Sequence, residues 1–167
     1  MTTTQITGRQ ISLPHGTFYS LTTQAIANTA AVQAIAFEEN DDVHGLTHDT
    51  VTNNSRIYAT INGSYLVTFS GICDIASGAV NKHIEVWPAI EGTAIPDSNT
   101  RVQIPALTSE LTVAVCFIID LDVGEYFEMM TWGDATTVEW LATAAAALPD
   151  RPAVPSVIMT CNLVNGY

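Results

Sequence analysis

Apolar residues alternate with polar ones along most of this chain, and turn-forming residues interrupt the alternation about every ten residues. In YLVTFSGIC (65–73), one face of the run carries Tyr65, Val67, Phe69 and Cys73. A period of two matches a β-strand, because successive side chains of a strand point to opposite faces. Clusters of Gly, Pro, Asn and Asp separate the strand-like runs, which is typical of a sandwich or barrel. The sequence therefore predicts an all-β fold.

Three segments indicate where particular strands and turns lie. The second face of LTVAVCFII (111–119) is also largely apolar, which is typical of a central strand buried on both faces. Asn62-Gly63 lies between two strand-like runs and predicts a tight hairpin. LATAAAALP (141–149) is rich in Ala, which favours a helix, but the segment is short and ends at a proline. A loop is favoured there over a short helix.

The acidic composition bears on the possible partners. The chain carries 17 Asp and Glu against 5 Lys and Arg, for a formal net charge of −12. Nucleic acids and anionic membranes bind through basic surfaces, so neither is an expected partner. No run approaches the roughly 18 apolar residues of a membrane span, and the polar start MTTTQITGRQ predicts no signal peptide.

The three cysteines, Cys73, Cys116 and Cys161, each lie in an apolar, strand-like run. Their spacing matches no zinc or redox motif, so each is predicted to be a small buried residue. A protein made in a reducing cytoplasm is the simplest context for unpaired thiols.

The chain is predicted to form one domain preceded by a short arm. Residues 1–14 are polar and end at Pro14, so they are predicted to be an N-terminal arm, and residues 15–167 to be the domain. Within the domain, 38–55 is the most polar stretch and is predicted to be an exposed loop with a short strand. We find no tandem repeat that would indicate a solenoid.

That polar stretch also holds the densest group of possible metal ligands, namely Asp41, Asp42, His44, His48 and Asp49. HGLTH has the i, i+4 histidine spacing of a helical zinc site, but it lacks the glutamate and contains a glycine. The acids do not follow the calcium-loop pattern. We therefore predict a solvated loop, with no metal and no cofactor.

Catalytic residues are not predicted either. The chain has no G-x-S-x-G motif, and no cysteine carries a recognisable catalytic signature. A glycosidase would need an acid pair in which one carboxyl group is desolvated. The sequence gives no sign of a desolvated acid in its three candidate pairs, Glu38-Glu39, Asp41-Asp42 and Asp120/Asp122. We predict that the protein is not an enzyme. Two roles remain open for Trp87, Trp132 and Trp140: a sugar-binding platform or, preferably, ordinary packing.

Several segments together resemble known folds. SRIYATINGSYLVTFSG (55–71), IIDLDVGEYFEMM (118–130) and PSVIMTCNLV (155–164) resemble the strands of the TNF-like and complement-globular-head jelly roll. NKHIEVWPAIEGTAIPDSNTRVQI (81–104) and the opening at 16–37 are similar to a version of this fold in structural proteins of tailed bacteriophages. The closing strand departs from the pattern, because Val157, Met159 and Cys161 stand where an aromatic residue and a glycine are frequent.

The resemblance implies a single-domain TNF-like jelly roll that assembles as a homotrimer. It further implies a capsid decoration or cement protein, made in the host cytoplasm, that binds the major capsid protein on the outer surface of the virion. Strands that face partners in such trimers carry Tyr65, Phe69, Phe117, Tyr126 and Phe127, which are the expected trimer interface. The expected capsid-binding residues of the arm are Ile6, Arg9, Ile11 and Leu13.

Two other functions remain open at this point. One is a head-fibre or tail-fibre tip that recognises host polysaccharide, with the tryptophans and the 38–55 stretch as its rim. The other is a small carbohydrate-active enzyme, which would need a sheltered pair of carboxylates.

Overall fold

The computed structural model describes residues 13–167, and within that range it contains sixteen β-strands and no helix. The all-β prediction is confirmed. The strands are β1 His15–Ser20, β2 Gln24–Ala25, β3 Gln33–Ala34, β4 Glu39–His44, β5 Leu46–His48, β6 Ile57–Ala59, β7 Gly63–Ile75, β8 Lys82–Ile90, β9 Thr93–Ala94, β10 Thr100–Ile104, β11 Leu111–Leu121, β12 Tyr126–Gly133, β13 Val138–Trp140, β14 Ala146–Ala147, β15 Asp150–Arg151 and β16 Val157–Gly166. No helix in the described range is long and apolar enough to cross a membrane.

Two antiparallel sheets form the sandwich. The first sheet runs β2–β13–β7–β16–β1–β4, and β11 pairs with the other side of β7. The second runs β10–β8–β12–β6–β5, with β3 on β12 and β9 on β8. The long strand β7 organises the first sheet, because β11 covers one of its sides while β16 and then β13 cover the other.

The core fills the space between the two sheets. Phe18, Tyr65, Phe69 and Phe127 have no accessible surface, since they lie at the inward positions of their strands. Trp140 is also fully buried: its ring meets Phe69 edge to face at 5.5 Å, and its Nε1 donates a hydrogen bond to Thr131 Oγ1 at 3.2 Å. Burial of large aromatic rings supplies a major part of the stability of such a sandwich.

The predicted central position of 111–119 is wrong. Among residues 13–167, β11 pairs only with β7, so it forms an edge of the first sheet. Its odd-numbered residues face the core, whereas the even-numbered ones point away from the sandwich. The second apolar face therefore exists, but nothing in the described part of this subunit covers it.

The predicted hairpin at Asn62-Gly63 is also wrong, because β6 belongs to the second sheet and β7 to the first. The chain crosses between the sheets at this point. Asn62 stabilises the crossing instead: its Oδ1 accepts a hydrogen bond from the Val123 N–H at 2.7 Å, and its backbone oxygen accepts one from the Tyr167 N–H at 3.3 Å. In 141–149, a loop and the two-residue strand β14 take the place of the alternative helix.

The stretch 38–55 contains two short strands, β4 and β5, where one was predicted. Gly45 joins them with a φ of +62°, and a Cβ there would lie 2.8 Å from Pro14 Cγ, so both the backbone and the space favour glycine. Pro14 is buried, and its carbonyl accepts a hydrogen bond from the Leu163 N–H at 2.8 Å. This proline thus belongs to the domain and not to the predicted arm.

Candidate functional site

The outward-facing residues within 66–70 of β7, 114–118 of β11 and 158–164 of β16 carry no charged side chains, and we call this surface the neutral face. Cross-strand register aligns its residues in rows. The three central rows are Ala114–Ser70–Ile158, Cys116–Thr68–Thr160 and Ile118–Leu66–Asn162. In a chain with 17 acidic residues, three adjacent rows of neutral side chains mark a surface on which another molecule can pack without burying a charge.

Apolar side chains on this face are open to solvent. Ile118 is 68% exposed, Val164 51% and Ile158 39%. Cys116 is exposed as well, which corrects the prediction that all three cysteines are buried. The physical reason is its even-numbered position on an edge strand, which points the thiol away from the core. Exposed β-branched residues on an edge strand favour association with a further chain.

The structure corrects most of the predicted trimer interface. Tyr65, Phe69 and Phe127 are fully buried between the sheets of one subunit, so they have no surface to offer to a partner. Phe117 is half-buried and packs against the same core. Tyr126 is half-buried on the second sheet. The physical reason is the alternation of strand side chains, which points Tyr65, Phe69 and Phe127 into the core and leaves their sequence neighbours on the other face.

Tyr126 packs within a small cluster on the second sheet. Its ring lies 5.3 Å from that of Tyr58, and the Arg56 guanidinium stacks over it at 4.4 Å. Arg56 also pairs with the buried carboxylate of Glu128, Nε to Oε1 at 3.2 Å, and Ser55 Oγ donates to the same oxygen at 2.6 Å. The Tyr126 ring and the Glu128 carboxylate thus find these contacts within one chain. A role for Tyr126 in a trimer stays a prediction.

Ile6, Arg9 and Ile11 lie outside the described residues, and only Leu13, which is 53% exposed, falls within them.

The histidines of the polar stretch make local contacts. His48 lies within hydrogen-bonding distance of the Asn54 carbonyl through Nε2, 3.0 Å, and of the Asn40 amide through Nδ1, 3.2 Å. Asp49 Oδ1 accepts hydrogen bonds from two backbone N–H groups of the following turn, and these lower the pKa of its carboxyl group. Among residues 13–167, no three His, Cys, Asp or Glu side chains group together in a way that could hold a metal.

The tryptophans divide between the core and the second sheet. Trp140 is a core residue, as described above. Trp87 and Trp132 are half-buried on the outward side of β8 and β12, and Trp132 Nε1 donates to the Thr29 carbonyl at 2.9 Å. Ordinary packing is therefore confirmed for Trp140. A sugar-binding role for the other two stays a prediction, and residues 13–167 enclose no pocket.

Comparison with known proteins identifies the fold. No family model and no curated protein matches the sequence. Among solved structures, the globular domain of zebrafish complement 1qA protein superposes with a TM-score of 0.54, at 10% identity, covering 92% of this chain and 99% of that chain. The chain has the C1q-like, TNF-like jelly-roll fold. The predicted fold class is therefore confirmed. Sequence identity this low shows the fold alone, and no role follows from it.

Proposed function

We propose that this protein is a non-enzymatic homotrimer that decorates and stabilises the outer surface of a tailed-phage capsid. The trimer is proposed because the second apolar face of β11 is exposed. The fold is also one whose C1q and TNF-like members often form trimers. Both faces of β11 are largely apolar, but a single copy of the chain covers only one of them, so the other face is available to a partner.

A second copy of the chain is the partner that fits the neutral face. Each subunit carries a net charge of −12, so two copies repel one another over most of their surfaces. The neutral face reduces this repulsion, because acids of the first sheet lie outside it, for example Asp120 towards the end of β11 and Asp41 on β4, which β1 separates from β16. Contact through this face buries Ile118 and Ile158 and leaves the acidic remainder in solvent.

We assign the capsid contact to the end of the sandwich where β1 begins and β16 ends. His15 at the start of β1 pairs with Asn162 near the end of β16, so β1 begins and β16 ends at the same end of the sandwich, and residues 1–12 are attached there. A trimer presents three such arms on one side. Several weak contacts made together give an affinity that one arm alone lacks, and this multivalency is how a non-covalent clamp resists shell expansion.

The phage assignment itself relies on the likeness of 81–104 to structural proteins of tailed phages. In the structure this segment forms β8, β9 and β10, joined by an internally braced turn. Ser98 Oγ donates to the Ile95 carbonyl at 2.7 Å, and Asn99 Nδ2 donates to Glu85 Oε2 at 2.6 Å. The polar residues of this motif thus shape one particular turn.

The native thiols provide a probe of the neutral face. Burial raises the pKa of Cys73 and of Cys161 to about 12, so both are inert to maleimide in the folded protein, whereas Cys116 is on the neutral face. We expect maleimide to label all three cysteines in urea and to label Cys116 slowly in the native trimer. Mass spectrometry of peptides reads out the site. Native labelling of Cys116 as fast as in urea would contradict a covered face.

Co-sedimentation with phage heads that lack decoration tests the capsid role. We expect the full-length protein to pellet with heads, and a variant lacking residues 1–12 to remain trimeric but to stay in the supernatant. A full-length trimer that ignores heads and binds host cells or their polysaccharide would replace this proposal with a receptor-binding tip. The half-buried Trp87 and Trp132 on the second sheet are the observation that favours that alternative.

A further inference from the structure

Three carboxylates lie side by side at the end of the first sheet opposite to the termini. Asp74 on β7 is the direct cross-strand partner of Glu139 on β13. On the other side of β7, Leu111 pairs with Cys73, so Glu110 stands next to Asp74. Asp74 is only 7% exposed. Sequence reasoning missed this group, because its members are far apart in the chain and only the sheet register brings them together.

The contacts of Asp74 do not include a compensating cation. Its Oδ1 is buried and has no hydrogen-bond partner, and none of the ion pairs among residues 13–167 involves Asp74, Glu139 or Glu110. On the far side of β13, β2 places the uncharged Ala25 opposite Glu139. Two ionised carboxylates offer only acceptors to each other, so they repel unless a proton lies between them.

We propose that Asp74 and Glu139 share a proton in the folded protein and form an acid-stabilised clasp between β7 and β13. The clasp is a property of the single subunit and does not depend on the proposed assembly or on a capsid. The hydrogen bond between the two side chains forms as the pH falls, because a protonated carboxyl group can donate to a carboxylate, whereas two carboxylates have no proton to donate.

The electrostatics of the group agree with this direction. Burial, followed by the charge of Glu110, raises the pKa of Asp74 above its ordinary 3.8. Burial and the charge of Asp74 raise the pKa of Glu139 above its ordinary 4.5. A folded-state pKa above the unfolded one means that the folded protein binds the proton more tightly. The domain is thus stabilised as the pH falls through the folded pKa, and the gain is complete below the unfolded values.

Asp74→Asn tests the clasp, because the amide donates permanently to Glu139 as the shared proton does. Asp41→Asn is the matched control, with the same charge change at an exposed position of β4. Urea midpoints are measured from about pH 7 to about pH 5, at one protein concentration and in EDTA. We expect Asp74→Asn to have a higher midpoint than wild type at neutral pH and the difference to shrink on acidification. Asp41→Asn should parallel wild type throughout.

Two outcomes would overturn the clasp. One is an Asp74→Asn midpoint at or below that of wild type at neutral pH. The other is a wild-type midpoint that rises on addition of calcium while that of Asp74→Asn does not, since the carboxylates would then hold a cation in place of a proton. Carbon-13 NMR of the side-chain carboxyl groups provides a second readout that is independent of unfolding. The carboxyl carbons of Asp74 and Glu139 should titrate above the ordinary pKa values of 3.8 and 4.5 for these side chains.

Discussion

Replacing Ile118 with glutamate is expected to convert the proposed trimer into a monomer. Ile118 is the most exposed apolar residue of the neutral face, and in the proposed trimer each copy buries it against a neighbour. Burial of such a side chain contributes about 2 kcal/mol per copy. A buried glutamate without a cationic partner costs several kcal/mol more, and it occurs three times in the assembly. Sedimentation velocity should show a single species of monomer size.

The control for this prediction is Val51→Glu, since Val51 is 84% exposed in the turn after β5 and lies away from the neutral face. It adds the same charge and should leave the trimer intact. Both variants should remain folded by circular dichroism, because neither side chain lies in the core. If Ile118→Glu sedimented like wild type, the subunit contact would lie elsewhere on the molecule.

Replacing Gly71 with alanine is expected to destabilise the domain by about 3 kcal/mol. A Cβ at this position would lie 2.6 Å and 2.7 Å from Cε3 and Cζ3 of the Trp140 ring, and 3.2 Å from Val157 Cγ1. The ring is fully buried and cannot move without losing its hydrogen bond to Thr131. For a domain of this size the loss corresponds to a fall in Tm of roughly 10 °C, measured by calorimetry.

Gly166→Ala is the matched control on the neighbouring strand β16. A Cβ there would meet its nearest atom, Leu163 Cδ2, at 3.6 Å, which is an ordinary contact. Its stability should stay within about 0.5 kcal/mol of wild type.

A double variant that combines Gly71→Ala with Trp140→Leu should be less destabilised than the sum of its single changes, because the clash is removed. Additive losses would show that Trp140 does not pack on Gly71.

The strand pattern was readable from the sequence because a period of two reports directly on which side chains are buried. The runs at 65–73 and 111–119 both form strands, and their inward residues are the ones that the alternation marks. What the pattern cannot tell is which molecule buries a second apolar face. The sequence predicts that both faces of 111–119 are buried within one chain, whereas the second face is exposed and belongs to the neutral face.

Other features depended on contacts between distant parts of the chain. Asn62-Gly63 has the local signature of a hairpin. In the structure, however, Asn62 accepts hydrogen bonds from the distant Val123 and Tyr167 N–H groups where the chain crosses between the sheets. The carboxylate pair of Asp74 and Glu139 exists only through the β7–β13 register. A resemblance indicates which strands face a partner, but it does not indicate which side chains of those strands point outward. Tyr65, Phe69 and Phe127 therefore fit the resemblance and are nevertheless buried in the core.

The molar mass of the purified protein, measured by light scattering after size-exclusion chromatography, tests the homotrimer most directly. We expect about three times the subunit mass of 17.9 kDa, unchanged when the protein is diluted tenfold. A mass of 17.9 kDa would mean that the neutral face is open in solution, and would contradict the assembly on which the capsid role is built.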